Sequence, residues 1–196
     1  DRIAVGSAQN TANWHIRADA AMVSAAIPAG PEMPGMALAA RAAAPITAAN
    51  ASSISDGASA LLLMSAAQAQ AKSLKPMARM LAHTRHSQAP GEFTIAPIGA
   101  IRKLLAKTGW TVDDVDLFEI NEAFAMVTMM AMEDLGLDHD KVNVNGGACA
   151  QGHPIGSTGS RIIVTLMYAL RQRGMHRGLA ALCIGGGEAT AVAIEM

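Results

Sequence analysis

From residue 54 onward, short apolar runs alternate with segments of helical periodicity, and the chain closes on two apolar runs separated by Gly185, Gly186 and Gly187. Apolar runs too short for helices are at home inside a sheet covered on both faces, so this alternation predicts an α/β fold, a mixed sheet layered by helices. Residues 58–64 read as a buried strand after Asp56-Gly57, Ser65 opens an Ala-rich helix ending near Ser73, and residues 77–83 read as a strand. Residues 97–108 read as a helix, with Pro97 in its first turn, Ile98, Ile101, Leu104 and Leu105 at helical spacing, and Gly109 as its stop. Next come a strand at 115–120, a helix at 122–135 stopped by Gly136, a short strand at 142–145 and a long helix at 155–173 stopped by Gly174. A hairpin of strands 179–184 and 189–195 ends the chain. Near the amino terminus, Ile3, Ala4, Ser7 and Ala8 could line one face of a short helix. The Ala- and Pro-rich, nearly uncharged stretch from Ala18 to Ala51 reads as an excursion or loop segment.

Charge excludes several functions. Among 196 residues, 15 Lys and Arg face 16 Asp and Glu, and charged residues make up 16% against 51% hydrophobic. That balance supplies a core and argues against a general electrostatic grip on nucleic acid. No long uncharged apolar run marks a membrane span. Two cysteines, Cys149 and Cys183, cannot build the disulfide framework of a small secreted domain, so a reduced, cytoplasmic compartment is expected. The chain opens at Asp1 rather than at Met, which reads as a piece of something longer.

Three strand-to-loop junctions carry residues that a plain sheet does not need: Asn121-Glu122-Ala123-Phe124, the glycine-rich stretch from Asn143 to Gly159, and Cys183-Ile184-Gly185-Gly186-Gly187-Glu188. Sites in α/β sheets gather at such carboxyl ends. His153, held between Gly152 and Pro154, suits a general base, although an isolated His-Pro pair is usually a surface turn. Cys183 ends an apolar strand, where a buried inert thiol is the usual reading, and Cys149 shares that reading. The glycines offer unhindered N–H groups for an oxyanion hole, or merely a turn. Gly152, Gly156 and Gly159 match neither dinucleotide nor phosphate-loop spacing, and His153, Cys149 and Cys183 do not fall at zinc-site spacing, so no metal is expected. Met126, Met129, Met130 and Met132 read as core filler.

Taken together, Asn50-Ala51-Ser52 with Ser55-Asp56-Gly57-Ala58, Asn121-Glu122-Ala123-Phe124, Asn143-Val144-Asn145-Gly146-Gly147 leading into Gly152-His153-Pro154-Ile155-Gly156, and Cys183-Ile184-Gly185-Gly186-Gly187-Glu188 resemble the thiolase family. The resemblance is nearest to its biosynthetic acetyl-CoA acetyltransferases and covers the carboxyl-terminal half. It implies a layered fold with a mixed sheet of the five-stranded type. It also implies that residues 1–53 are the tail of the CoA-binding loop domain, 54–76 the last strand and helix of the amino-terminal domain, and 77–196 the carboxyl-terminal domain.

The implied reaction is Claisen condensation of two acetyl-CoA, or the reverse thiolysis, in fatty acid metabolism. By the same resemblance, His153 activates the nucleophile and, with a water held by Asn121, stabilises the enolate oxygen. Cys183 shuttles the α-proton, the Gly185 N–H lines a second oxyanion hole, and Ser52 and Ala48 contact the pantetheine arm of CoA. The implied partners are acetyl-CoA or another acyl-CoA, an amino-terminal half and further copies of the chain in a homo-oligomer, with no metal or redox cofactor. The family nucleophile lies in a Cys-Ala-Ser-Gly type of context, which neither Cys149 nor Cys183 has; Ala49 and Gln151 also depart from the family pattern. The alternative is a non-catalytic thiolase-like domain that binds acyl-CoA or assembles with a partner. A Cys-His hydrolase built on Cys183 and His153 is a third.

Overall fold

The structure, a computed structural model, describes residues 3–4 and 46–196. Strands β1 (Ile3–Ala4) and β2 (Leu62–Leu63) pair antiparallel. The helix expected around Ile3 and Ala4 is thus replaced by a strand, and Ser7, Ala8 and most of the Ala- and Pro-rich excursion lie outside the described residues. The strand expected over residues 58–64 shrinks to β2, because residues 51–59 run as extended chain whose partners are loops. Helix α1 (Ala66–Ala71) begins where Ser65 accepts a hydrogen bond from the Gln68 N–H.

The main sheet has four strands among the described residues: β3 (Arg79–Ser87), β4 (Leu117–Ile120), β5 (Arg177–Ile184) and β6 (Glu188–Glu195). Their order is β3-β6-β5-β4, with β4 parallel to β5 and the other pairs antiparallel. Strand β3 runs four residues beyond the expected end at His83, and its register shifts between Met80 and Ala82. The strand expected at 142–145 is reduced to one bridge between Val142 and Phe118. The reason lies in Asn143: its backbone sits at φ 49°, and its carboxamide completes the β4 edge in place of a strand, accepting from the Ile120 N–H and donating to Ile120 O, both at 2.8 Å.

Four helices complete the layers: α2 (Ala96–Thr108), α3 (Ala125–Leu135), the single turn α4 (Ala148–Gln151) and α5 (Thr158–Arg173). Gly109, Gly136 and Gly174 end α2, α3 and α5 in the left-handed conformation, as their sequence positions anticipate. The helix expected from Glu122 starts at Ala125, because Ala123 and Ala125 bond to Ser52 and Asn50, and the one expected from Ile155 starts at Thr158, after a turn closed by the Ser157 N–H on Pro154 O.

The period-two alternation of β4 separates two apolar clusters. Phe118 and Ile120 join Ile101, Leu104, Val127 and Leu179 under α2 and α3, whereas Leu117 joins Ile162, Leu166, Leu170 and Ala180 under α5. Gly178 lets α5 lie close, since a Cβ there would meet Leu170 and Leu166 at 2.8–2.9 Å. Met132 packs on the first cluster, and the other methionines of α3 are half-buried.

Candidate active site

β4 and β5 are parallel, so their carboxyl ends lie side by side. Asn121 continues β4 by donating its N–H to Ala181 O at 2.9 Å, and Cys183 lies two residues farther along β5. Alternation then sends the two side chains to different layers. Asn121 faces α5, where its Oδ1 accepts from Arg161 at 3.4 Å, while the half-buried Cys183 packs on the α2/α3 cluster. Gly185 follows in an exposed turn. In that turn Gly187 has no substitute: its φ is 87°, and a Cβ would press on Gln88 O and Ala89 O.

His153 precedes α5 and is tied down on two sides. Its N–H donates to Ser53 O at 2.8 Å, and its Nδ1 lies 2.6 Å from Thr158 Oγ1. Thr158 has one hydroxyl hydrogen, and its contact with Pro154 O at 3.0 Å needs that hydrogen, because a carbonyl only accepts. Both contacts are satisfied when His153 carries its proton on Nδ1 and donates it to Thr158. Nε2 is then the free lone pair, which is the form a general base requires. Burial lowers the His153 pKa below the usual imidazole value, and the nearby Arg161 charge adds to this, so the ring is neutral at pH 7.

Segment 50–59 stitches the first two junctions together. Ala125 at the start of α3 donates to Asn50 O at 2.8 Å, Ala51 bridges Phe124, and Ile54 bridges His153. Ser59 Oγ reaches Ser157 Oγ at 2.7 Å and Ser160 Oγ at 2.6 Å. Ser52 is half-buried beside the Asn121 junction, with its N–H and hydroxyl both donating to Ala123 O. Ala48 is exposed in the turn closed by the Asn50 N–H on Thr47 O. Gly152, at φ 90°, leaves room for Ser55, and Gly57 for Pro154.

Sequence reasoning placed Glu122 and Cys149 in their junctions without partners, and it missed Glu119, Thr158 and Arg161. Glu122 accepts from the Cys149 N–H and from Asn143 Nδ2, both at 3.0 Å, in space that a side chain at Gly147 would fill. Burial, the Glu122 charge and their hydrogen bond push the Cys149 thiol up to about 12. Glu119 is 2% exposed and accepts a hydrogen bond from Arg161 at 3.2 Å. Burial raises the Glu119 carboxyl to about 8 against the opposing pull of Arg161. The signal for Glu119 was a charge inside an apolar strand. Arg161 carried none, since a cation near a helix start is ordinarily solvated. Burial raises the Cys183 thiol as well. Among the described residues no group of three or more His, Cys, Asp or Glu could hold a metal, and no helix is long and apolar enough to cross a membrane.

The structure therefore joins His153, Thr158, Arg161, Glu119 and Asn121 into one neighbourhood, with Cys183 and Gly185 at the same sheet edge, one strand over. The chain is 48% identical over 150 residues to the cytosolic acetyl-CoA acetyltransferase of Mus musculus and 51% identical over 150 residues to the acetyl-CoA acetyltransferase of Chromobacterium violaceum. Each alignment covers 76% of this chain and 38% of the relative, so the chain spans well under half the length of these relatives. The crystal structure of the Bacillus anthracis acetyl-CoA acetyltransferase superposes with a TM-score of 0.73 at 46% identity, covering 74% of this chain and 37% of that one. A thiolase from Ascaris suum in complex with coenzyme A superposes with a TM-score of 0.74 at 44% identity, covering 79% of this chain and 40% of that one. A family model described as the thiolase C-terminal domain matches residues 74–196. The chain belongs to the thiolase family and carries its carboxyl-terminal domain.

Proposed function

We propose that this chain is the carboxyl-terminal part of an acetyl-CoA C-acetyltransferase, which condenses two acetyl-CoA into acetoacetyl-CoA and free CoA or runs the thiolytic reverse. The observation that carries this reading is His153, fixed by Thr158 with Nε2 available and close enough to Arg161 to feel its charge, the same guanidinium that donates to the buried carboxamide of Asn121. Nε2 takes the proton of a nucleophilic thiol supplied by the amino-terminal half. The resulting imidazolium and the Asn121 carboxamide, through a bound water, then donate to the enolate oxygen. In the acyl-transfer step the Cys183 thiol gives its proton to the departing CoA thiolate, and as the resulting thiolate Cys183 takes the α-proton of the second acetyl-CoA, while the nucleophile released on condensation regains its proton from the imidazolium. Burial makes that thiolate a stronger base than an exposed one, which suits removal of a weakly acidic C–H proton. The Gly185 N–H serves the oxyanion of the acyl-transfer step, and Ser52 and Ala48 line the path of the pantetheine arm.

The chemistry runs on coenzyme A thioesters with protein donors and thiols, and calls for no metal or redox cofactor. The exposed Ile54, Leu62, Ile155 and Ile184 support assembly with an amino-terminal half and with further copies in a homo-oligomer. The cytosolic location of the mouse relative supports a cytoplasmic site, and a role in fatty acid metabolism follows from the substrate class.

The test joins the chain to the amino-terminal half of an acetyl-CoA acetyltransferase and measures acetoacetyl-CoA formation and α-proton exchange in acetyl-CoA. The intact protein turns over, and Cys183→Ala loses α-proton exchange while the nucleophile is still acetylated. CoA binding without turnover would instead support the non-catalytic alternative, and full exchange in Cys183→Ala would remove that residue from the mechanism.

A further inference from the structure

Glu119 and Asn121 share the α5 face of β4, and a single guanidinium reaches both: Arg161 NH1 lies 3.2 Å from Glu119 Oε1, and NH2 lies 3.4 Å from Asn121 Oδ1. Asn121 is 1% exposed and Glu119 2%, while the Arg161 side chain retains 16%. A guanidinium donates only, so the atom of the Asn121 carboxamide facing it must be the oxygen. The opposite atom, Nδ2, is then turned away from Arg161, and it has no hydrogen-bond partner among the described residues although it is fully buried. A buried amide N–H without a partner is costly in a finished core, and such a donor points to a ligand that accepts from it.

We propose that Arg161, anchored by Glu119, is a positioning residue that fixes the Asn121 carboxamide in one of its two flip states, so that Nδ2 is presented to the water or oxyanion on the His153 side. The inference rests on the acyltransferase reading and adds to it a source for the orientation of Asn121. Without Arg161 the carboxamide can rotate about its last bond and offer Oδ1, an acceptor, to a developing negative charge. Glu119 holds the guanidinium from the opposite side, so the fork is pinned at both ends. A lysine at 161 would keep the charge and lose the fork, since an ammonium is a point donor that does not span the two oxygens in the same geometry. Arg161 acts through Asn121 and touches no reacting atom.

The experiment uses the assembled protein, this chain joined to an amino-terminal thiolase half, with 15N-labelled asparagine. In the parent protein the two Asn121 side-chain amide protons, identified by their loss in Asn121→Ala, give separate, slowly exchanging resonances. Arg161→Met lowers kcat for condensation about 100-fold, as misplacement of a reacting group does, with KM for acetyl-CoA within about twofold and acetylation of the nucleophile preserved. Arg161→Lys falls about 10-fold, and both variants shift the Asn121 resonances and speed their exchange. An unchanged kcat in Arg161→Met overturns the proposal. So does a loss of kcat with the Asn121 resonances unmoved, which would mark a merely structural role. The spectrum decides independently of turnover: if the parent protein forms no acetoacetyl-CoA the acyltransferase reading fails, and the Asn121 resonances still decide whether Arg161 holds the carboxamide.

Discussion

Thr158, in the first turn of α5, holds His153 Nδ1 at 2.6 Å while its own hydroxyl hydrogen goes to Pro154 O at 3.0 Å. One side chain thereby fixes the tautomer of His153 and closes the turn that presents it. Removing the hydroxyl in Thr158→Val releases the ring to rotate, and kcat falls about 10-fold in the assembled enzyme. Thr158→Ser keeps it. The 15N shifts of His153 report the tautomer directly: parent and Thr158→Ser show the Nδ1–H form, and Thr158→Val shows a mixture.

Glu119 makes stability depend on pH in a direction opposite to that of most salt-bridged carboxylates. Burial raises its folded pKa from the usual value of 4.5 to about 8, so between those values the folded state binds a proton that the unfolded chain has lost. The contribution is fully present below about pH 4.5 and is lost as pH rises toward 8. Thermal unfolding from pH 5 to pH 8 therefore shows a decline in Tm attributable to this group. In Glu119→Gln, which cannot ionise, that decline is reduced, and an unaltered slope would show that Glu119 is not the group responsible.

Gly147 is required by packing rather than by its backbone angle. A methyl group at this position would overlap the Glu122 carboxylate, which is held by Asn143 and by the Cys149 N–H. Gly147→Ala is destabilising by about 2 kcal/mol, the range of overpacked sites, or about 4–8 °C in Tm for a chain of this size. Glu122→Gln in the Gly147→Ala background does not recover it, because the displaced volume is the same.

The two thiols react slowly with alkylating reagents, and for a shared reason. Burial raises both, and the adjacent Glu122 carboxylate pushes Cys149 up to about 12. At pH 8 only on the order of one Cys149 in 10,000 is thiolate, so iodoacetamide labels it far more slowly than free cysteine. Glu122→Gln removes the negative charge and speeds labelling of Cys149 but not of Cys183. Rapid modification of Cys149 in the parent protein would contradict its half-buried placement against the Glu122 carboxylate.

The α/β layering, the glycine stops at 109, 136 and 174, the closing hairpin and the three junctions that bear Asn121, His153 and Cys183 were legible in the sequence, because each is written by local chemistry: apolar period, backbone freedom at glycine, and strand ends rich in polar and glycine residues. The expected strands at 58–64 and 142–145 were not realised. Their apolar residues fit a strand, yet the hydrogen-bond partners come from loops far along the chain and from the Asn143 side chain, and no local pattern encodes a distant partner.

The sequence by itself thus determined the family and the strand ends that bear Asn121, His153 and Cys183. Only the tertiary structure decided that Glu119, Asn121 and Arg161 form one buried unit, that Thr158 sets the His153 tautomer, and that Cys183 turns to the opposite layer from Asn121. The physical reason is that orientation and charge state depend on what lies across the sheet. A carboxamide, an imidazole and a carboxyl have the same sequence symbol in either flip, tautomer or protonation state, and their neighbours in space choose among them.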